Sequence, residues 1–385
     1  MKLKAWRLPW QGELVPHGLL DILRGCNLSC RACYNAPGSR VKSLEQVREE
    51  FEILMRSRRL DSLGIVGGEP LLHPQLTDII RMIRSTGVNA EVFTNGLLLD
   101  DERAAALKKA GAGLVFLHID AHQNRPDWPQ GSDGSLEDLW SAKAAAATSA
   151  GLEVGLAVTA YADALDRIDQ AITFVLNSPH VDYLLVTLCR DVQAMGRLTG
   201  DLKAGISGAA TIGAESAGGH GLTNQLVFER MQSRFGLYPF AYLGSNVDRD
   251  DPRWLTYVIG SALANGRPAT WSMLKASATE RLFLWLFRRL HGRFPFYLRQ
   301  SPGKFRIQLL LNALTGGRFR GNLRLLIHSF GHHRILKTKR ILFQCPAQLA
   351  PDGRLIHCSH CPDATVRHGR LTPVCISDQM DGEQV

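Results

Sequence analysis

Three cysteines fall within eight residues, Cys26, Cys30 and Cys33, in the spacing C-x3-C-x2-C. They follow an apolar, strand-like run at residues 19–23. Thiolates at that density are ligands for a soft metal centre, either an iron–sulfur cluster or zinc. A structural zinc site wants four protein ligands, and the nearest candidate for a fourth, His17, lies on the far side of the run. Three cysteines on a cubane cluster instead leave one iron open to a substrate or cofactor, and an open coordination site implies chemistry.

A second motif, Gly67-Gly68-Glu69-Pro70, follows the next apolar run at 62–66. Two glycines let backbone approach a ligand closely, and Glu69 with the exposed amides could hold a ligand's ammonium. Alone the motif also reads as an ordinary turn. Thr94-Asn95-Gly96 ends the third run, as polar contacts or as an Asn-Gly turn. His118-Ile119-Asp120-Ala121-His122 ends the fourth, where alternation puts His118, Asp120 and His122 on one face. Inward-facing, His118 and Asp120 are the candidate catalytic groups. Each also has a bland reading as a satisfied structural residue. Thr159 and Arg190 end the fifth and sixth runs, and the lone Cys189 reads as a small buried residue.

The runs 19–23, 62–66, 90–94, 113–120, 152–160 and 183–187 alternate with helical stretches at 44–58, 76–85, 101–110, 136–150 and 163–177. That is the pattern of a parallel α/β sheet. Ser43 and Gln46 make a capping box for the first helix, and Gly87, Gly111 and Gly151 stand where helices stop. Six βα units suit an open, partial (βα)6 TIM-like barrel, with the site at the C-terminal ends of the strands.

In these motifs the chain resembles the radical S-adenosylmethionine (SAM) superfamily, which carries C-x3-C-x2-C after the first strand and a GGEP-like motif after the second. The resemblance covers about residues 18–187. It implies that Cys26, Cys30 and Cys33 bind a [4Fe–4S] cluster whose open iron is chelated by SAM. Gly67, Gly68 and Glu69 would line the methionine part, with Thr94, Asn95 and Thr159 as further polar contacts. One electron, from a flavodoxin- or ferredoxin-type donor, would cleave SAM to methionine and a 5′-deoxyadenosyl radical that abstracts hydrogen from the substrate. The superfamily usually has an aromatic residue just before the third cysteine; here that position is Ala32, and Tyr34 is the candidate to pack on the adenine.

Four more cysteines close the chain as Cys345-x7-Gly353-x4-Cys358-x2-Cys361-x13-Cys375. Pro351-Asp352-Gly353 is a tight-turn signal that would place Cys345 and Cys358 on the two arms of a hairpin. Four cysteines suit either zinc or a second cluster. The opening resembles a shortened start of the SPASM/twitch extensions, which hold auxiliary clusters; the full seven-cysteine SPASM pattern is absent, so at most one auxiliary cluster is expected.

Between the two cysteine groups, residues 281–340 carry 14 Lys and Arg and no Asp or Glu, so the net charge of +9 belongs to this segment. Its aromatic and aliphatic residues interleave with arginine, as in an interfacial helix on an anionic membrane. Core-packing helices with a solvated basic face would read the same way, and nucleic acid is a weaker option. The start of the chain lacks a signal peptide's apolar core, and no run approaches a membrane span, so a cytoplasmic protein is expected.

The chain thus divides into a lead-in at 1–17, a core barrel at 18–190, a linker and helical region at 191–280, a basic amphipathic helical segment at 281–340 and a Cys-rich extension at 341–385. The function expected is radical SAM chemistry on a small molecule, possible substrates including a lipid or another hydrophobic, anionic compound. The competing readings are a peptide-modifying radical SAM enzyme and a zinc-stabilised, polyanion-binding protein without catalysis.

Overall fold

After a two-residue strand β1 (Trp6–Arg7), the chain alternates strand and helix: β2 (His17–Asp21), α1 (Leu44–Ser57), β3 (Ser62–Val66), α2 (Leu76–Ser85), β4 (Asn89–Thr94) and α3 (Asp101–Ala110). It continues through β5 (Ala112–His118), α4 (Leu136–Ser149), β6 (Glu153–Ala160), α5 (Leu165–Asn177) and β7 (Tyr183–Leu188). The computed structural model describes residues 5–33, 35, 38–128, 135–189, 222–264, 267–296, 301–330, 334–350 and 354–380. Arg190, Tyr34, the glycine-rich stretch at 200–221 and the turn at 351–353 lie outside them. Ser43 and Gln46 close the expected capping box on α1, and Gly87, Gly111 and Gly151 all take positive φ at helix ends.

Strands β2 to β7 lie side by side in chain order, all parallel. Alternation sets their two faces. On β5, Val115 and Leu117 join the helix-covered core while Leu114 and Phe116 turn to the inner face. On β6, Leu156 and Val158 face the helices and Ala157 faces inward. His118 and Thr159 are therefore carried to the inner face by the same period of two.

Beyond β7 the structure departs from a linker followed by helices. Helix α6 (Asn224–Phe235) is followed by β8 (Ala241–Gly244), β9 (Pro252–Ala264) and β10 (Arg267–Met273). Three helices come next: α7 (Ala278–His291), α8 (Pro302–Thr315) and α9 (Phe319–His328). Residues 334–340, expected to be helical, open β11 (Arg334–Gln344). That strand pairs parallel with β7 and antiparallel with β9, which carries β8 and β10. Strands from before residue 190 and from after it thus share one sheet, and β11 spans position 340. These strands were missed because β9 is buried across most of its length and so shows no polar alternation.

The tail forms two small hairpins, β12 (Gln348–Leu349) with β13 (Leu355–Ile356), and β14 (Ala364–Arg367) with β15 (Arg370–Pro373). It lies along β2, the edge of the parallel sheet. Asp363 sits 3.6 Å from His17 and accepts a 2.7 Å bond from Gln344 at the end of β11, while Arg367 bonds Asp21. The Arg58 guanidinium donates to the carbonyls of His17, Cys361 and Pro362. A buried cation therefore pins the tail to the start of β2.

His17 is fully buried, 2.7 Å from Ser62 Oγ and stacked at 4.3 Å on Phe296. Burial, then the charge of Arg58, lowers its pKa to about 3. Between that value and the ordinary 6.5 the unfolded chain binds the proton more readily, so stability rises with pH through this window. Asp363, raised to about 6 by burial, and Glu91, raised well above its ordinary value by burial, act in the opposite sense, so the rise is the part that His17 contributes. His17→Asn is expected to flatten the acid side of the stability profile by a few kcal/mol, read from urea midpoints at about pH 4 and about pH 7.

Candidate active site

The C-terminal ends of β2 to β5 carry four loops that hold one another. Gly67 and Gly68 follow β3 and touch the chain entering the cysteine loop: Gly68 N donates to Leu23 O at 2.7 Å, and Glu69 N to Gly25 O at 2.9 Å. A Cβ on Gly68 would lie 2.0 Å from Gly25 O, and one on Gly67 2.4 Å from Leu23 O, with Gly67 also at φ +144°. Both glycines are thus required by close backbone approach.

Glu69 is completely buried, and its carboxylate accepts from Leu71 N (2.9 Å), Thr94 Oγ1 (2.7 Å) and Asn95 N (2.8 Å). Burial raises its pKa against these bonds. In this structure Glu69 ties β3 to β4, and through that tie aims Asn95. The Asn95 amide donates to Asn27 Oδ1 at 2.7 Å and lies 3.8 Å from Cys26 Sγ.

The loop after β5 clasps the cysteine loop from the other side. Arg31 N donates to His122 O (2.9 Å), and Asn124 Nδ2 to Ser29 Oγ (3.0 Å). Asp120 is buried; Oδ1 accepts from His122 N at 2.9 Å and Oδ2 lies 3.2 Å from His118 Nε2, which is 3.5 Å from Thr159 Oγ1. Burial opposes ionisation of Asp120, but His118, His122 N and Thr159 outweigh it and hold the carboxyl below its usual range. The two candidate catalytic residues and Thr159 therefore form one hydrogen-bonded group.

Several positioning residues gave no signal in the sequence. Gln123 bonds the backbone of both His118 and Asp120. Buried Arg125 donates to Asn95 O at 2.8 Å and Gln123 Oε1 at 3.0 Å. Tyr161, buried at the end of β6, packs edge-on against His122, with the Arg31 guanidinium 5.1 Å from its ring centroid. An Arg or Gln in a turn looks solvated until the fold closes over it.

Cys26 and Cys33 are exposed and Cys30 half-buried, and none of the three is in a disulfide. Burial pushes Cys30 up to about 12, with Asp120, Cys33 and Cys26 adding to it. Among the described residues, no three His, Cys, Asp or Glu side chains converge on a position for one ion. Three neighbouring thiols on one loop, tied by backbone bonds to the 67–69 and 119–125 segments, are a donor set that suits an iron–sulfur cluster.

Residues 20–158 match the model of the Radical SAM superfamily. This region is a radical SAM domain. Among curated proteins, Fe-coproporphyrin III synthase of Methanosarcina barkeri is 29% identical over 141 residues, 35% of each chain. PqqA peptide cyclase of Streptomyces rochei is 29% identical over 175 residues, 42% of this chain and 46% of that one. The chain spans under half the length of these relatives. The solved structure of Streptococcus suis SuiB bound to S-adenosylmethionine aligns over 57% of this chain and 48% of that one, at 14% identity and a TM-score of 0.39. The superfamily uses a [4Fe–4S] cluster and SAM, and the three thiols of this radical SAM domain fit the cluster.

The tail cysteines stand as two pairs. The side chains of Cys358 and Cys361 share a hydrogen bond, not a disulfide, and pack against Trp10 and Trp254. Buried Cys345, raised to about 11 by its burial, neighbours Cys375, whose Sγ accepts from Ala347 N at 3.4 Å. The second pair leads back to the radical SAM domain: three residues beyond Cys375, Asp378 pairs with Arg24 at 2.6 Å, and both lie near Cys33.

Proposed function

We propose that this protein is a radical SAM enzyme whose reaction takes place over the C-terminal ends of β2 to β6. The observation that carries the reading is the seat of the cysteine loop, fixed by Gly67–Gly68 on one side and the 119–125 loop on the other. Bound there, a [4Fe–4S] cluster and SAM would supply a 5′-deoxyadenosyl radical after one-electron reduction by a flavodoxin- or ferredoxin-type donor. Gly67 and Gly68 would leave room for the methionine moiety, and Asn95, Thr94 and Thr159 supply polar atoms around it. Asp120, kept ionised and oriented by His118, is the group that would accept a proton or hydrogen bond from the substrate.

Cys345, Cys375, Cys358 and Cys361 are proposed to hold a second iron–sulfur cluster, zinc being the alternative. Closing the two pairs on one centre makes either set. Anaerobic reconstitution is expected to load about eight irons per chain, falling to about four when the tail cysteines are replaced by alanine. Iron unchanged by those replacements, with zinc co-purifying, would place zinc in the tail.

The substrate class that fits the basic, apolar helices of 281–340 is a lipid or another hydrophobic, anionic molecule. Peptide modification is the second reading, favoured by the PqqA peptide cyclase match being longer than that to Fe-coproporphyrin III synthase. Deuterium passing into 5′-deoxyadenosine from a perdeuterated lipid extract supports the first; transfer only from deuterated peptide supports the second. Asp120→Asn is expected to slow substrate turnover about a hundredfold while SAM binding is retained, as measured by single-turnover assays beside equilibrium dialysis.

A further inference from the structure

Helix α7 runs for 14 residues and contains Leu282, Phe283, Leu284, Trp285, Leu286, Phe287 and Leu290, yet its one buried residue is Glu280. That carboxylate accepts from Gln308 at 2.9 Å and Asn312 at 3.3 Å. The helix is thus anchored by a polar contact to α8 while Leu282, Phe283, Trp285, Leu286 and Leu290 face outward. Leu290 is 78% exposed. Helix α8 continues the surface: Phe305 and Leu309 enter the core, while Ile307, Leu310, Leu311 and Leu314, at helical spacing, do not. Folding leaves much of this apolar area in water, which a protein surface tolerates only where something covers it.

The charge around the face selects the occupant. Arg281, Arg288, Arg289, Arg320 and Arg324 are exposed, and residues 281–340 offer no acid to balance them. A second copy of the chain would set two equally basic faces against each other. A nucleic acid would satisfy the arginines through its phosphates, but it offers nothing to exposed aliphatic side chains, and a single strand would ask instead for aromatic rings on which to stack. From Leu282 to Ile335, exposed aliphatic side chains outnumber aromatic ones nine to four. Hydrocarbon with a rim of cations is the complement of an anionic lipid surface. Among the described residues no helix is long and apolar enough to cross a membrane, so the helices would lie on it.

We propose that α7 and α8 dock this protein on the surface of an anionic lipid bilayer, inserting their outward leucines and pairing their arginines with headgroups. The docking needs no SAM cleavage, so it stands or falls apart from the chemistry proposed above.

The test is flotation of the full chain with phosphatidylcholine vesicles, with and without phosphatidylglycerol. Flotation only with the anionic lipid, weakening as salt rises, is expected. Arg288→Gln/Arg289→Gln should weaken it roughly twenty-five-fold, about fivefold for each charge. Leu286→Glu/Leu290→Glu should abolish it with an unchanged circular dichroism spectrum, since both side chains are exposed. No flotation at low salt, equal flotation with the neutral lipid, or variants that float like the wild type would overturn the proposal. So would a face that instead self-associates in sedimentation or is occupied by RNA in competition with vesicles.

Discussion

Cys30→Ser is expected to reduce 5′-deoxyadenosine release to background and to remove the iron of the first cluster while the fold persists. Of the three thiols Cys30 is the least exposed, and it sits between Gln123, Asp120 and the other two cysteines. A serine hydroxyl fits the same space but is a poor donor to iron, which prefers thiolate. Folding should be spared because the loop is held by backbone bonds, Arg31 N to His122 O and Gly68 N to Leu23 O, that the substitution leaves in place. Iron per chain and far-UV circular dichroism, measured on the same preparation, separate loss of the ligand from loss of structure.

Gly68→Ala is expected to be nearly as damaging through sterics alone. Its methyl would fall 2.0 Å from Gly25 O, 2.5 Å from Gly25 C and 2.7 Å from Arg24 O. All three are backbone atoms and cannot rotate away, so the segment leading to Cys26 must shift. Overpacking of this kind costs about 1–3 kcal/mol, and the displaced segment is the one that carries the cluster ligands. A lowered melting temperature with iron content below that of the wild type is the expected pair of results. Gly87→Ala, by contrast, meets nothing within 4 Å and carries only the strain of its positive φ; it should leave iron content unchanged.

The parallel core was legible because its signals are local. Capping at Ser43, glycine stops after α3 and α4, and the motifs at the strand ends all place residues near one another in sequence. The C-terminal half was less so. Strand β9 pairs with β8, β10 and β11, and its burial erases the alternation that marks a half-exposed strand. The same physics hid Arg125, Gln123 and Arg58, whose roles depend on bonds to backbone that only the fold brings near.

Glu69 shows what the motif alone conceals. As a residue type it reads as a ligand contact, whereas its carboxylate accepts three internal bonds that align β4 and Asn95 with the cysteine loop. The link from Arg24 to Asp378, which brings the tail to Cys33, likewise spans most of the chain and has no signature in either segment.

The most direct test is the release of 5′-deoxyadenosine when the anaerobically reconstituted full chain is reduced with dithionite in the presence of SAM. The wild type should form it, and the variant with Cys26, Cys30 and Cys33 all changed to alanine should not. A wild-type protein that carries iron at these cysteines yet never cleaves SAM, or a triple variant that cleaves it as well as the wild type, would contradict the account.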